Sequence, residues 1–227
     1  MIDLYWAATP NGHKLTICLE ELGLDYRRLR VDLGRGEQFA PAFLAISPNN
    51  KIPALVDHDP ADGGAPLALF ESGAMLQYLA EKTGRLLPAE LRRRQQVLAW
   101  LAWQVSGLGP MAGQAGHFRV HAPEPVPYAI DRYTRELKRL YGVLDRRLAE
   151  HEFVGGDEYS IADIACWPWI APHAAHGQVL ADSPHLARWF AAVAARPAVQ
   201  RACPEAAQAY AAPLPESARA ALFGGRP

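Results

Sequence analysis

Three short segments in the first third of the 227-residue chain combine residue types that can hold and activate a small polar ligand. Thr9-Pro10-Asn11-Gly12 stands between an apolar run and a helical one. Asn11 has the side chain of an N-cap, so free N–H groups and the positive end of a helix dipole are expected there. Asn50-Lys51-Ile52-Pro53 comes immediately before a strand. A proline at that point leaves the N–H and C=O of Ile52 free to pair with an extended ligand, and an Ile-Pro bond in a tight turn can be cis. Glu71-Ser72 opens a helix. A helix start takes an anion on its N–H groups and on the Ser72 hydroxyl, and Glu71 beside it can pair with a cation. A carboxylate next to an anion nest suits the α-amino and α-carboxylate of an amino-acid head group. Taken singly, the segments read as a turn, a strand entry and a cap. They become a site if one sheet gathers them.

The elements that must do so are legible from periodicity. Residues 2–6 form a short apolar strand, and Leu15, Cys18, Leu19 and Leu22 form one face of a helix ending near Gly23. In 26–33, Leu29, Val31 and Leu33 alternate with Arg28, Arg30 and Asp32, which predicts a half-buried strand. A short, proline-interrupted helix is expected in 39–46. Strands at 54–58 and 66–70 flank the hairpin-like turn Asp59-Pro60-Ala61-Asp62-Gly63-Gly64. Ser72 then caps a helix with Leu76, Leu79 and Ala80 on its face and Gly84 as its stop. The order β-α-β-α-β-β-α is a small α/β layer on a mixed, four-stranded sheet.

Beyond residue 84 the texture becomes almost entirely helical, with helices expected at 92–121, 126–150, 161–175, 184–195 and 198–210. A kink is expected at Gly107-Leu108-Gly109-Pro110. Ser160-Ile161-Ala162-Asp163 reads as a capping box, with Tyr159 and Ile164 as its hydrophobic staple. This assigns Asp163 a folding role rather than a catalytic one. The predicted division is 1–84, a linker at 85–91, an all-helical part at 92–205, and an Ala/Pro-rich tail at 206–227.

Composition bounds the function. Half the residues are apolar, 21% are charged and the net charge is −1, so no electrostatic footprint for nucleic acid is present. The charge is uneven: 7 basic and 11 acidic residues in 1–84, against 16 and 13 afterwards. No apolar run reaches the roughly 18 residues of a membrane span. The opening MIDLYWAATPNG has no basic segment followed by an apolar one, so no secretory leader is expected and a cytoplasmic location is. Cys18, Cys166 and Cys203 form no CxxC, and neither they nor the eight histidines have metal-ligand spacing. HExxH, GxSxG and GxxxxGK[ST] are absent, and Gly34-Arg35-Gly36 is too short for a dinucleotide loop.

With those segments in place, the chain resembles the glutathione S-transferase superfamily, and within it the bacterial nu-class glutathione-dependent disulfide-bond oxidoreductases. The resemblance is carried by TPNGHK (9–14), SPNNKIPA (47–54), FESGA (70–74), WQVSGLGPM (103–111), PYAIDRY (127–133) and YSIADIACWPW (159–169), and extends to about Pro197. It implies a thioredoxin-like, glutathione-binding domain at 1–84 followed by an all-helical C-terminal domain, and a homodimer. It also implies glutathione, reduced or oxidised, as cofactor, and a small disulfide or electrophile as substrate. Glu71 and Ser72 would hold the γ-glutamyl end, Ile52 before a cis Pro53 the cysteinyl part, and Lys51 and Gln38 the glycyl carboxylate. Thr9 and Asn11 would sit by the sulfur, and Arg132 would contact a second glutathione, in cis or from a partner chain.

A thiol with its ordinary pKa of about 8.5 is mostly protonated at neutral pH. A hydroxyl donor, an amide N–H and a helix N-terminus favour the thiolate. Thr9, Asn11 and the first helical turn would supply them. No cysteine lies near that loop, Cys18 falls on an apolar helix face, and Tyr5 comes too early in the chain to replace Thr9. Glutathione would then bring the attacking sulfur, and the reaction would be thiol–disulfide exchange. Two other readings stand beside it: a transferase that conjugates electrophiles or reduces peroxides, and a non-catalytic association module. The first two differ in a second site, for which Trp103, Gln104, Gln114, Phe118 and Arg132 are candidates.

Overall fold

A computed structural model describes residues 1–203; the predicted tail at 206–227 lies outside the described residues. The strands β1 (Ile2–Trp6), β2 (Tyr26–Arg30), β3 (Ala54–Asp57) and β4 (Leu67–Phe70) form one mixed sheet in the order β2-β1-β3-β4. β1 runs parallel to β2 and antiparallel to β3, with Ile2 opposite Asp57 and Tyr5 opposite Ala54, and β3 pairs antiparallel with β4. Alternation sorts β1 onto two faces. Ile2 and Leu4 enter the main core, whereas Tyr5 packs edge-on against Phe43 in a smaller cluster with Val31 and Ala54. Asp3 is held by Arg27 at 2.6 and 2.7 Å and by His58 at 2.9 Å, which together keep its carboxyl below the ordinary range.

Helix α1 (Pro10–Leu22) lies against the sheet, with Leu15, Cys18 and Leu19 fully buried, and ends on Gly23 at φ 67°. Helix α2 is the short Pro41–Leu44, and α3 spans Ser72–Thr83 with Gly84 left-handed beyond it. β2 stops at Arg30, not at residue 33. The Asp32 carboxylate takes the N–H groups of Gly34 and Arg35, so the chain turns into a 3-10 segment at Leu33–Arg35 although the apolar alternation continues.

The helical part comprises α4 (Leu91–Trp103), α5 (Gly109–Gly116), α6 (Pro127–Glu150), α7 (Ile161–Ile170), α8 (Pro184–Ala194) and α9 (Pro197–Ala202). Where a kink was expected, Gln104–Leu108 forms a wide π-helical turn that joins α4 to α5, with Pro110 in the first turn of α5, where its missing N–H is harmless. A second π turn, His117–His121, follows α5. α7 ends at Ile170 rather than 175, because Pro172 has no N–H to continue the ladder.

The capping box forms as predicted. Asp163 takes the N–H of Ser160 at 3.0 Å and also the Val154 N–H and the Trp189 indole, each at 2.8 Å. Burial nonetheless raises its pKa to about 6.

One hydrophobic core runs through both parts, from Leu15, Leu19 and Leu76 to Leu101, Ile164 and Trp167. The Ile161 N–H bonds the Leu86 carbonyl at 3.1 Å, and Arg196 forks onto Glu21 at 2.5 and 2.9 Å. Among the described residues no helix is long and apolar enough to cross a membrane, and no group of three His, Cys, Asp or Glu could hold a metal ion.

Candidate functional site

The sheet gathers its three segments along one cleft between the α/β layer and α7. Thr9, not Asn11, caps α1. It is extended (φ −128°, ψ 160°), and its Oγ1 accepts the Gly12 N–H at 3.1 Å. Pro10 then occupies a first-turn position suited to its fixed φ and absent donor. Asn11 is therefore two residues too late to cap. Its Oδ1 instead accepts the Trp169 indole N–H at 3.0 Å, which orients the amide and leaves its NH2 as a donor. Gly12 is required for contact, since a Cβ there would run into the Ala7 carbonyl and the Trp6 ring.

The loop before β3 is pinned by Ser47, whose hydroxyl donates to the Lys51 carbonyl at 2.8 Å. Ile52–Pro53 is cis, and the backbone of Ile52 makes no hydrogen bond to the described residues. Across the cleft Glu71, not Ser72, is the capping residue of α3; Ser72 is its first helical residue. Glu71 sits at φ 69° and Asn50 at φ 49°. A left-handed backbone at a non-glycine residue carries strain of order 1–3 kcal/mol. Two of the three such residues among those described border this cleft.

Three adjoining hollows make up the cleft, and Asn11 lines all of them. One of about 160 Å³ holds Thr9, Gln38, Lys51, Ile52 and Trp169. Gln38 is buried; its Nε2 donates to the Leu33 carbonyl at 3.5 Å, while its Oε1 has no partner among the described residues. The second, about 210 Å³, lies among Lys51, Ile52, Pro53, Glu71 and Ser72. The third, about 280 Å³, runs from Glu71 and Ser72 to Gln104, Pro110, Gly113 and Gln114.

Thr9, Asn11, Gln38, Lys51, Ile52, Pro53, Glu71 and Ser72 thus come together. Arg132 does not. It lies exposed on α6, 3.9 Å from Glu136, and lines none of the three hollows. Of the second-site candidates, Gln104 and Gln114 line the cleft. Trp103 packs edge-on against Trp100, and Phe118 stacks on Tyr133. Tyr5 belongs to the small cluster on Phe43 and lines none of the hollows either.

No protein thiol is poised for attack. Burial pushes Cys18 and Cys166 far above the ordinary thiol range and Cys203 up to about 12.

Two further residues of the site, Lys14 and Trp169, do not stand out in the sequence. Lys14 Nζ donates to Ser72 Oγ at 3.2 Å and to Gln104 Oε1 at 2.5 Å, and burial lowers its pKa to about 7. A signal existed: three residues on from Asn11 and four before Cys18, Lys14 shares their helix face. Trp169 offered no comparable signal.

Residues 8–82 match the family described as glutathione S-transferase, N-terminal domain, and residues 109–197 the one described as glutathione S-transferase, C-terminal domain. The Escherichia coli disulfide-bond oxidoreductase YfcG is 59% identical over 202 residues, covering 89% of this chain and 94% of that protein. A glutathione transferase from Burkholderia graminis, solved with two glutathione molecules bound per subunit, has a TM-score of 0.85 at 43% identity, covering 90% of this chain and 88% of its own. One from Pseudomonas putida, with one glutathione disulfide per subunit, has a TM-score of 0.83 at 43% identity, covering 88% and 90%.

Proposed function

The chain belongs to the glutathione S-transferase family, and on that premise we propose that it is a glutathione-dependent thiol–disulfide oxidoreductase whose attacking sulfur belongs to bound glutathione rather than to a protein cysteine. One observation carries the reading. A cleft lined by Thr9, Asn11, Ile52, Glu71 and Ser72 is built in a protein whose three thiols are all buried and all hard to ionise. The name of the Escherichia coli relative and the glutathione disulfide in the Pseudomonas putida structure point the same way.

Glu71 takes the ammonium of the γ-glutamyl end. Ser72 and the N–H groups of the first turn of α3 take its α-carboxylate. The free backbone of Ile52 pairs with the cysteinyl unit. Lys51 and Gln38 close on the glycyl end, where the partnerless Gln38 Oε1 can accept an N–H. The Thr9 hydroxyl and the Asn11 amide donate to the sulfur and favour its thiolate.

That thiolate attacks one sulfur of the substrate disulfide. A mixed disulfide forms, and the departing thiolate takes up the proton lost by glutathione. A second glutathione thiolate attacks the glutathione sulfur of the mixed disulfide. It yields glutathione disulfide and releases the other substrate thiol, so two glutathiones are oxidised and one disulfide is reduced. Arg132, away from this chain's own cleft, is assigned to a second glutathione reached across a homodimer. We place the enzyme in the cytoplasm, where reduced glutathione is abundant.

The test is reduction of a small disulfide by glutathione, coupled to glutathione reductase. Turnover supports the reading. No turnover, together with clear conjugation of a chloronitrobenzene, would replace it with an electrophile transferase.

A further inference from the structure

Lys14 is a charged group that the exchange scheme leaves without a role. Its side chain is 1% exposed, and among the described residues no carboxylate lies within ion-pair distance of its ammonium. Burying such a charge is costly unless something compensates it. Its hydrogen-bond partners are neutral: Ser72 Oγ at 3.2 Å and Gln104 Oε1 at 2.5 Å, each accepting one of its protons. An ammonium donating to Ser72 Oγ makes that hydroxyl send its own proton elsewhere, and the hollow at the start of α3 lies beside it. Gln104, with its oxygen occupied, keeps an Nε2 that has no partner among the described residues. The site thus holds a buried positive charge with no ion-pair partner, a hydroxyl set as donor and an unused amide donor, while the Glu71 carboxylate lines the same hollow.

We infer that Lys14 is the positioning residue of the anion nest: it fixes the Ser72 hydroxyl as a donor and balances, from directly behind that hydroxyl, the α-carboxylate of a bound γ-glutamyl group. The inference rests on the cleft being a glutathione site. The groups that act on Lys14 are few. Glu71, at the cap of α3, favours its charged form, while Cys166, on α7, is held as a neutral thiol by burial. The π turn offers only the uncharged Gln104, and Arg201 on α9 is paired with Glu20. Burial outweighs them and leaves Lys14 titrating near pH 7. An arriving carboxylate favours the ammonium, so above that pH binding takes up a proton.

The experiment measures binding of S-methylglutathione, which has no thiol to titrate, by calorimetry on either side of pH 7. Wild-type affinity should fall as pH rises, approaching tenfold per unit once Lys14 is neutral. γ-Aminobutyryl-S-methylcysteinylglycine, which lacks only the α-carboxylate, should bind more weakly and with a flat profile. Lys14→Met, apolar and of similar length, should lower the affinity for S-methylglutathione by about ten- to a hundredfold below pH 7 and abolish the slope. The same change should barely affect the decarboxy analogue. A flat wild-type profile overturns the inference. So does a slope that survives in Lys14→Met, or an equal loss for both ligands. If Lys14→Met does not fold, the two ligands on wild-type protein decide alone. A wild-type protein that binds neither ligand at any pH refutes the glutathione site itself, an outcome distinct from the others.

Discussion

Replacing Thr9 by alanine separates two jobs that one hydroxyl is assigned. Thr9 Oγ1 spends an acceptor position on the Gly12 N–H, 3.1 Å away, which caps α1. Its own proton remains available to the sulfur of bound glutathione. Losing the cap should destabilise the protein by roughly 1 kcal/mol, a fall of about 2–4 °C in Tm for a chain of this size. Losing the donor removes a hydrogen bond to a charged sulfur, typically about 1.5–3 kcal/mol. At 1.36 kcal/mol per unit this raises the pKa of the bound thiol by about 1–2 units. Thr9→Ser keeps both functions and serves as the control. The assay is the ultraviolet absorbance of the thiolate against pH at saturating glutathione, with Tm measured alongside. If Thr9→Ala lowers Tm while the bound thiol titrates as in wild type, Thr9 is a cap only and the activation scheme fails.

Other perturbations follow from the same geometry. Changing Cys18, Cys166 and Cys203 together to alanine should destabilise the fold by about 1 kcal/mol per site and leave disulfide reduction by the folded protein intact; lost turnover in a folded triple variant would mean that a protein thiol takes part. Asp163→Asn puts an amide NH2 where one carboxylate oxygen now accepts a backbone N–H in the capping box. It should cost about 2–4 kcal/mol in urea unfolding with activity per folded molecule unchanged, and a cost well under 1 kcal/mol would show the box to be dispensable. Lys14 titrates near 7 in the folded protein against 10.5 ordinarily, so in the interval between them the unfolded chain holds the extra proton. Stability should therefore rise with pH from about 7 towards 9 and rise less in Lys14→Met, as read from urea midpoints across that range; matching profiles would sink the assignment.

What could be read from the sequence is what depends on near neighbours. The Thr9–Gly12 turn, the Ile52-Pro53 strand entry and the Glu71-Ser72 helix start each announce themselves through a proline, a cap or a turn residue. The Ser160–Asp163 box does so too, since its partners lie three residues apart. Shifts of two or three residues arise where two local signals compete. Thr9 and Asn11 are both cap formers, and Pro10 at the first helical position decides for Thr9. The alternation through Val31 and Leu33 continues past the point where the Asp32 cap ends β2. The role of Lys14 is not legible locally, because its partners are Ser72 and Gln104, 58 and 90 residues away. Trp169 reaches Asn11 across 158 residues. Glycine and proline at 107–110 signal a break, but not that five residues close into a π turn with the helix running on. Arg132 rests on resemblance alone, and nothing local to its helix says that it lines none of the hollows of this chain's cleft.

The core shared by both parts has a consequence for how such a chain can be cut and recombined. α1 belongs by sequence to the sheet layer, yet it packs against α7 and α9 as well as α3. A fragment ending at Gly84 would bare Leu15, Leu19 and Leu76 and strip Lys14 of Gln104. It would carry an unpaired charge beside an unroofed apolar face. The two parts are thus not interchangeable modules. A chimera that grafts the helical part of one relative onto the sheet layer of another inherits a seam through its own interior. It folds only if residues on both sides of that seam, such as Gly73 against Val105 and Leu101, are exchanged together. Substitution along α1 is in that sense constrained by residues more than a hundred positions away.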